Sequence, residues 1–315
     1  MTRLLHAARA LLAGAALSLS TAAAQTTGGF QLPPDYFSRF GSLQAVVSNT
    51  DGYGVRYFPL PTPLDIRLTL VKAPTYLDAA VSLRTNDTTF AVGKFYNVPT
   101  LQVTHDPYKG MQFSGILRDG GLSDFSGGYA FTLWNDRVRV LNTAGLAFKG
   151  DLAAPYTRTE ATVGYGQTFG KFNTYVAATG RYYLFPVPWL GQLSADFYAA
   201  VNVSPLPGLV LDASHFERFV TGEVIIPEFG VSRYEQSTAS VTYRLPGGWP
   251  SPVFGLGAVR GRAVRDWTND YTYVYGDLFF RTDSLPTMVG PSIGYRFDPG
   301  GKTGILLVSL VAIVK

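Results

Sequence analysis

Between residues 193 and 204 the chain alternates with a period of two. Leu193, Ala195, Phe197, Ala199, Val201 and Val203 fall on one face, and Ser194, Asp196, Tyr198, Ala200, Asn202 and Ser204 on the other. Successive side chains of a β-strand point to opposite sides, whereas a helix would scatter these positions around its axis, so this run reads as a strand. Leu64, Ile66, Leu68 and Leu70 alternate with Asp65, Arg67 and Thr69 in the same way. Val138, Val140, Ala144, Leu146 and Phe148 oppose Arg139, Thr143 and Lys149, with Asn142 out of pattern; Ala239, Val241, Tyr243 and Leu245 oppose Ser240, Thr242 and Arg244. Similar segments lie near 76–85, 90–98, 125–134, 160–166, 172–184, 254–263, 271–281, 289–297 and 303–314. Turn-forming clusters separate many of them, among them Asn86-Asp87, Asp119-Gly120-Gly121 and Asp298-Pro299-Gly300-Gly301. The 34 glycines fit this reading, because each costs roughly 0.5–1 kcal/mol relative to Ala inside a helix.

A soluble β-sandwich also alternates, and composition separates the two classes. Only 15% of residues are charged, against roughly 25% in an ordinary soluble domain. Hydrophobic residues make up 46%, which excludes a disordered chain. The charges fall mostly on the face opposite the aliphatics, as a polar lumen requires, and several strands are long enough for a tilted bilayer crossing. Tyrosines cluster at Tyr53/Tyr57, Tyr182-Tyr183 and Tyr271/Tyr273/Tyr275, where an aromatic girdle is expected.

Residues 1–24 have the order of a secretory signal peptide: Arg3 and Arg9, an apolar stretch over 10–19, then Ala22-Ala23-Ala24. No later segment is long enough for a transmembrane helix; the longest apolar run, 305–314, is interrupted by Ser309. The sequence therefore predicts an all-β fold, a transmembrane antiparallel up-and-down β-barrel in the cell outer membrane. At about 20 residues per strand and connection, and with bacterial barrels favouring even numbers, it has about 14 strands, within 12–16. Residues 25–41 do not alternate and form an N-terminal periplasmic segment or small plug, and 42–315 form the barrel.

Chemistry is sparse. The absence of cysteine removes disulfides and thiol catalysis. Of three histidines, His6 leaves with the leader, and His105 and His215 are too far apart in the chain to suggest a metal site. His215 and Glu217 share a strand face, the base-and-orienter arrangement of a hydrolase, but Ser214 points the other way, so a nucleophile would have to come from a neighbouring strand. No phosphate-binding glycine motif occurs, and a net charge of +4 is too weak to suggest nucleic acid. The expectation is a protein without catalytic residues, metal or cofactor.

Arg260 and Arg262 lie in the one basic cluster, Val259-Arg260-Gly261-Arg262-Ala263-Val264-Arg265, on a face shared with Phe254, Leu256 and Ala258. They suit an anion-favouring ring or an anionic head group; pairing with Asp266, Asp270 or Asp277 is the plainer account. Arg67 and Asp196, on polar faces of their strands, join them as candidate pore or head-group contacts. Pro59, Pro61 and Pro63 remove ladder donors on one side of an early strand. They suit either a weakly paired seam that opens sideways or a stiff extended connection.

Residues 204–215 (Ser-Pro-Leu-Pro-Gly-Leu-Val-Leu-Asp-Ala-Ser-His), 216–219 (Phe-Glu-Arg-Phe) and 233–244 (Arg-Tyr-Glu-Gln-Ser-Thr-Ala-Ser-Val-Thr-Tyr-Arg) resemble the barrel of the lipopolysaccharide-assembly, or organic solvent tolerance, outer-membrane proteins. The resemblance implies lipopolysaccharide received from a periplasmic bridge and released through a lateral seam near the first strands, where Pro59, Pro61 and Pro63 would match. The chain departs from that family in lacking its cysteines and its β-jelly-roll and in having a smaller barrel.

Three functions follow. The first is a channel or transport barrel for small solutes or ions. The second is an envelope-assembly barrel moving lipid or lipopolysaccharide, and the third a barrel lipid hydrolase with His215 as base. Expected partners are outer-membrane lipid, the barrel-assembly machinery and a periplasmic or lipoprotein partner.

Overall fold

The structure, a computed structural model, describes residues 44–134, 137–186, 190–221, 232–249, 254–282, 287–301 and 303–314. The expected signal peptide at 1–24 and the segment at 25–41 lie outside the described residues. The first seven strands are β1 (Gln44–Ser48), β2 (Gly52–Pro59), β3 (Asp65–Lys72), β4 (Leu77–Arg84), β5 (Thr88–Phe95), β6 (Val98–His105) and β7 (Met111–Arg118). Longer ones follow: β8 (Ser123–Leu133), β9 (Val138–Lys149), β10 (Leu152–Phe169), β11 (Phe172–Phe185), β12 (Leu190–Leu206) and β13 (Leu209–Thr221). The last five are β14 (Tyr234–Trp249), β15 (Phe254–Asp266), β16 (Tyr271–Thr282), β17 (Thr287–Phe297) and β18 (Gly304–Val314).

All 18 strands belong to one antiparallel sheet, each paired with its neighbours in sequence, and β1 pairs with both β2 and β18. The sheet is thus a closed up-and-down barrel, as expected, but it has 18 strands and not about 14. The estimate of about 20 residues per strand and connection is too long for the first half, where β2 to β7 have eight residues each. Their connections are also tight. Tyr96 and Asn97, both at positive φ (50° and 70°), link β5 to β6 in two residues. Such a turn is normally signalled by Asn-Gly or Asp-Gly, so Tyr-Asn gives the sequence no visible break. Asp106–Ser123, which reads as a loop in the sequence, contains β7.

Alternation assigns the two faces. Phe197, Val241, Ile293 and Leu306 are exposed on the outside, while Thr69, Ser82, Gln102, Ser194 and Ser292 are buried on the inner wall. Tyr53 and Tyr182 are outside and exposed, as a girdle requires. Tyr57, Tyr183 and Tyr273 are buried against the inner wall, with Tyr271 and Tyr275 on the same strand face as Tyr273. At Tyr57 a bulge is responsible, because the β2–β3 register shifts between Val55 and Phe58 and turns the intervening ring inward at φ 58°. A second shift, between Leu256 and Ala258, separates residues that simple alternation puts together: Leu256 pairs with Phe280, while Ala258 pairs with the inward Phe279.

Closure is narrow. Between β1 and β18 the strand pairing is Ser48 with Ser309. Asn49, just past β1, extends it. Its backbone N–H donates to Val308 O (3.1 Å), its Nδ2 donates to Leu306 O (2.7 Å), and its Oδ1 accepts from Val308 N (2.9 Å). One carboxamide therefore presents the donor and acceptor that another strand residue would have supplied. Asn49→Ala is expected to destabilise the barrel by about 1 kcal/mol, since it removes two exposed hydrogen bonds to the β18 edge. Urea unfolding of the refolded protein in detergent measures this; an unchanged midpoint would show that the carboxamide does not hold the junction.

Candidate functional site

The charged side chains converge on the inner wall because antiparallel register places them in transverse rows. Glu160 on β10, Arg181 on β11, Asp196 on β12 and Arg218 on β13 make one such row. Glu160 pairs with Arg181, and Asp196 with Arg218, as direct cross-strand neighbours. Arg181 donates from Nε to Glu160 Oε2 (2.7 Å) and from Nη1 to Asp196 Oδ2 (2.6 Å). Arg218 approaches Asp196 from the other side with Nε (2.6 Å) and Nη2 (2.9 Å). Asp196, a candidate from the sequence, is thus clamped between two guanidinium groups, and its partners were invisible until the register was known.

Arg67 also lines the inner wall, but Asp65 two residues earlier on the same face takes it in two parallel hydrogen bonds of 2.7 and 2.9 Å. Arg260 lies over the Phe279 ring at 5.0 Å and donates to Asp277 Oδ2 at 2.6 Å. Arg265, on the outer face, pairs with Asp270. Arg262 differs. Its guanidinium stacks on Tyr275 at 4.3 Å, its Nε has no hydrogen-bond partner, and it makes no ion pair among the described residues. Tyr275 can lie flat there because Gly294 is beneath it: a Cβ on Gly294 would come within 2.3 Å of the ring. Plain pairing therefore accounts for Arg260 and not for Arg262.

At the rim near the closing turn, Arg56 donates to Asp78 Oδ2 (3.2 Å) and Tyr76 Oη (3.3 Å), and Tyr76 donates to the Asp51 carbonyl (3.1 Å). Burial pushes the Asp51 carboxyl above its usual range, with the Arg56 charge acting against it.

Pro59 ends β2, and Pro61 and Pro63 lie in the 60–64 connection to β3. The junction that closes the barrel is elsewhere, between β1 and β18. His215 and Glu217 share the outer face with Ser237 from β14. His215 Nδ1 is 3.0 Å from Ser237 Oγ, which also accepts from Trp267 Nε1 at 2.9 Å. The expected carboxylate is present, but Glu217 Oε2 is 3.9 Å from His215 Nε2, beyond hydrogen-bond reach. Ser214 points into the barrel. Among the described residues no group of three or more His, Asp or Glu side chains is placed to hold a metal ion.

No family model matches this chain. No curated protein matches it either. Among solved structures it is similar to a BenF-like porin from Pseudomonas fluorescens Pf-5, with TM-score 0.40, 10% identity, and 81% of this chain and 79% of that one covered. It is similar also to OccK5 (OpdH) of Pseudomonas aeruginosa, with TM-score 0.42, 10% identity and coverages of 86% and 96%. OccAB1 of Acinetobacter baumannii gives TM-score 0.41, 9% identity and coverages of 86% and 90%. No family model and no curated protein supports the lipopolysaccharide-assembly resemblance read in residues 204–219 and 233–244, and that resemblance is withdrawn. Those residues fall on three successive antiparallel strands, β12, β13 and β14, joined at Pro207-Gly208 between the first two.

The clamp around Asp196 predicts a coupled response. Asp196→Ala is expected to cost about 1–3 kcal/mol, because it leaves two guanidinium groups facing each other; adding Arg218→Met should recover a large part of that loss. A double-mutant cycle on unfolding free energies in detergent tests the coupling, and strictly additive losses would refute it.

Proposed function

We propose that this chain is an outer-membrane channel for small solutes, with a wall that favours anions near β15 and β16. One observation carries the proposal: ionic side chains from many strands meet on the inner face of a closed barrel whose outer face is apolar. In hydrocarbon every backbone polar group must be satisfied internally, and a closed barrel does this without edges. The ionic inner wall in turn calls for water within. An 18-stranded barrel is in the size range that leaves an aqueous channel when the lumen is not plugged.

Anion preference rests on Arg262, whose charge no ion pair takes up among the described residues. Arg67 is held by Asp65, and Asp196 is shared between Arg181 and Arg218, so these two are framework and not selectivity groups in this reading. Arg260 contributes indirectly, by neutralising Asp277.

The test is single-channel conductance of the refolded mature protein in a planar bilayer, with ion selectivity measured under a salt gradient. Steady conductance with a modest anion preference is expected. Arg262→Ala should lower that preference, Arg260→Ala should lower it too by freeing the Asp277 carboxylate, and removal of the neutral pair in Arg67→Ala/Asp65→Ala should leave it nearly unchanged. A protein that inserts and never conducts would overturn the channel reading.

A further inference from the structure

The inner wall carries a carboxylate that no ion pair takes up among the described residues. Asp212 on β13 lies in a transverse row between Asn202 on β12 and Ser240 on β14, its direct cross-strand partners. Its Oδ1 accepts from Asn202 Nδ2 and its Oδ2 from Ser240 Oγ at 3.2 Å, both neutral donors. Asp196 between two arginines and Asp277 with Arg260 are neutralised by contrast. A carboxylate has about four acceptor positions, so two remain on Asp212 for a ligand.

The next row explains why there is room beside it. Two residues along the strands, Ala200 pairs with Ser214, and Tyr175 on β11 lies opposite Ala200. Tyr198 stands one step further on the same face of β12. Two small side chains between larger ones leave a hollow. A cavity of about 240 Å³ lies there, lined together by Asp212, Asn202, Ala200, Ser214, Tyr175 and Tyr198. At about 30 Å³ per water it holds roughly eight waters, the room a solute of about eight non-hydrogen atoms needs.

The lining selects the kind of solute. The Tyr175 and Tyr198 rings are 6.1 Å apart and tilted by 55°, so they are not stacked flat on each other, and Tyr175 is exposed. Aromatic faces attract a cation through the ring quadrupole, and the carboxylate attracts the same charge directly. Among the described residues no group of His, Asp or Glu forms around Asp212 to hold a metal ion, whereas an apolar body attached to the cation makes use of the rings. Arg262, two strands away in the same row, stacks on Tyr275 of β16 and so faces away from the hollow.

We propose that this hollow is a subsite for a small organic ammonium ion, its N–H groups on the open positions of Asp212 and its apolar body along Tyr175 and Tyr198. The subsite rests on the channel reading, which brings solutes to this wall. It adds a cation-holding patch on β11 to β13 to a lumen whose anion preference comes from β15.

Benzylammonium, benzyl alcohol and ethylammonium test it on the refolded mature protein in nonionic detergent, by ligand-observed NMR titration with empty micelles as the blank. Benzylammonium is expected to bind at least about tenfold more tightly than benzyl alcohol, as one charge-assisted contact implies. It should bind about threefold more tightly than ethylammonium through the rings. Asp212→Asn should abolish the first preference, and Tyr198→Leu should reduce the second. Equal affinities for benzylammonium and benzyl alcohol in the unaltered protein would overturn the subsite. So would a preference that Asp212→Asn leaves intact, or an advantage over ethylammonium that Tyr198→Leu leaves unmoved. The wild-type comparison needs no variant to fold. A conducting channel with no preference for benzylammonium would refute the subsite and leave the channel standing; preferential binding without conductance would uphold the subsite and refute the channel.

Discussion

The backbone of this protein has nowhere to send its hydrogen bonds except to its own neighbours. A hydrocarbon surround offers no water, and each unsatisfied N–H or C=O there costs several kcal/mol. That constraint makes one continuous antiparallel ladder the solution and makes the last junction its weakest place. Here the ladder closes on a single paired residue of a five-residue strand, Ser48 with Ser309, and on the carboxamide of Asn49 acting as a surrogate backbone. The same constraint decides the side chains. A closed ladder alternates strictly between two environments, so polar groups that the lipid rejects accumulate on the inner wall, where register sorts them into rows.

Those rows explain why charges far apart in sequence become partners. Glu160, Arg181, Asp196 and Arg218 span four strands and neutralise one another in sequence order around the wall. Rows of this kind fix the inner surface: a guanidinium with carboxylates on two sides has little freedom, and neither has the strand that carries it. Stacking does similar work where no carboxylate takes the guanidinium in an ion pair among the described residues, as with Arg262 on Tyr275. A guanidinium stacked on a ring is positioned without being neutralised, which is what a channel wall needs if it is to attract a solute and still release it.

Period-two alternation was legible wherever one face is apolar and the other polar, and the faces read for residues 193–204 and 138–148 are the faces the barrel uses. The strand number was not legible, for reasons specific to the first half of the chain. Val98–His105 begins Val-Pro-Thr, and the turn before it is Tyr96-Asn97, so neither a clean alternation nor a glycine marks the boundary. The tyrosines misled in another way. An aromatic near a strand end suits a girdle or a lumen equally, and only the bulge at Tyr57 and the parity of β16 decide between them. Arg260 and Arg262 were visible as a pair, but their difference was not. It depends on Asp277 lying opposite Arg260 and Tyr275 lying opposite Arg262, which is a fact of register.

Register is also why the row of Asn202, Asp212 and Ser240 is sharply defined. A slip of one residue in a strand sends every side chain to the other face, so a shift of β13 alone would move Asp212 outward and bring Leu211 to the wall. The outer face resists such a slip, because Leu211 and Phe219 would have to exchange lipid for a polar interior. The pressure that keeps leucine and phenylalanine in the bilayer therefore also holds Asp212 level with Asn202 and Ser240. Positioning of the carboxylate does not depend on a loop or a flexible arm. It follows from the apolar half of the same alternation, which makes the lipid-facing residues of β13 positioning residues for groups on the opposite side of the wall.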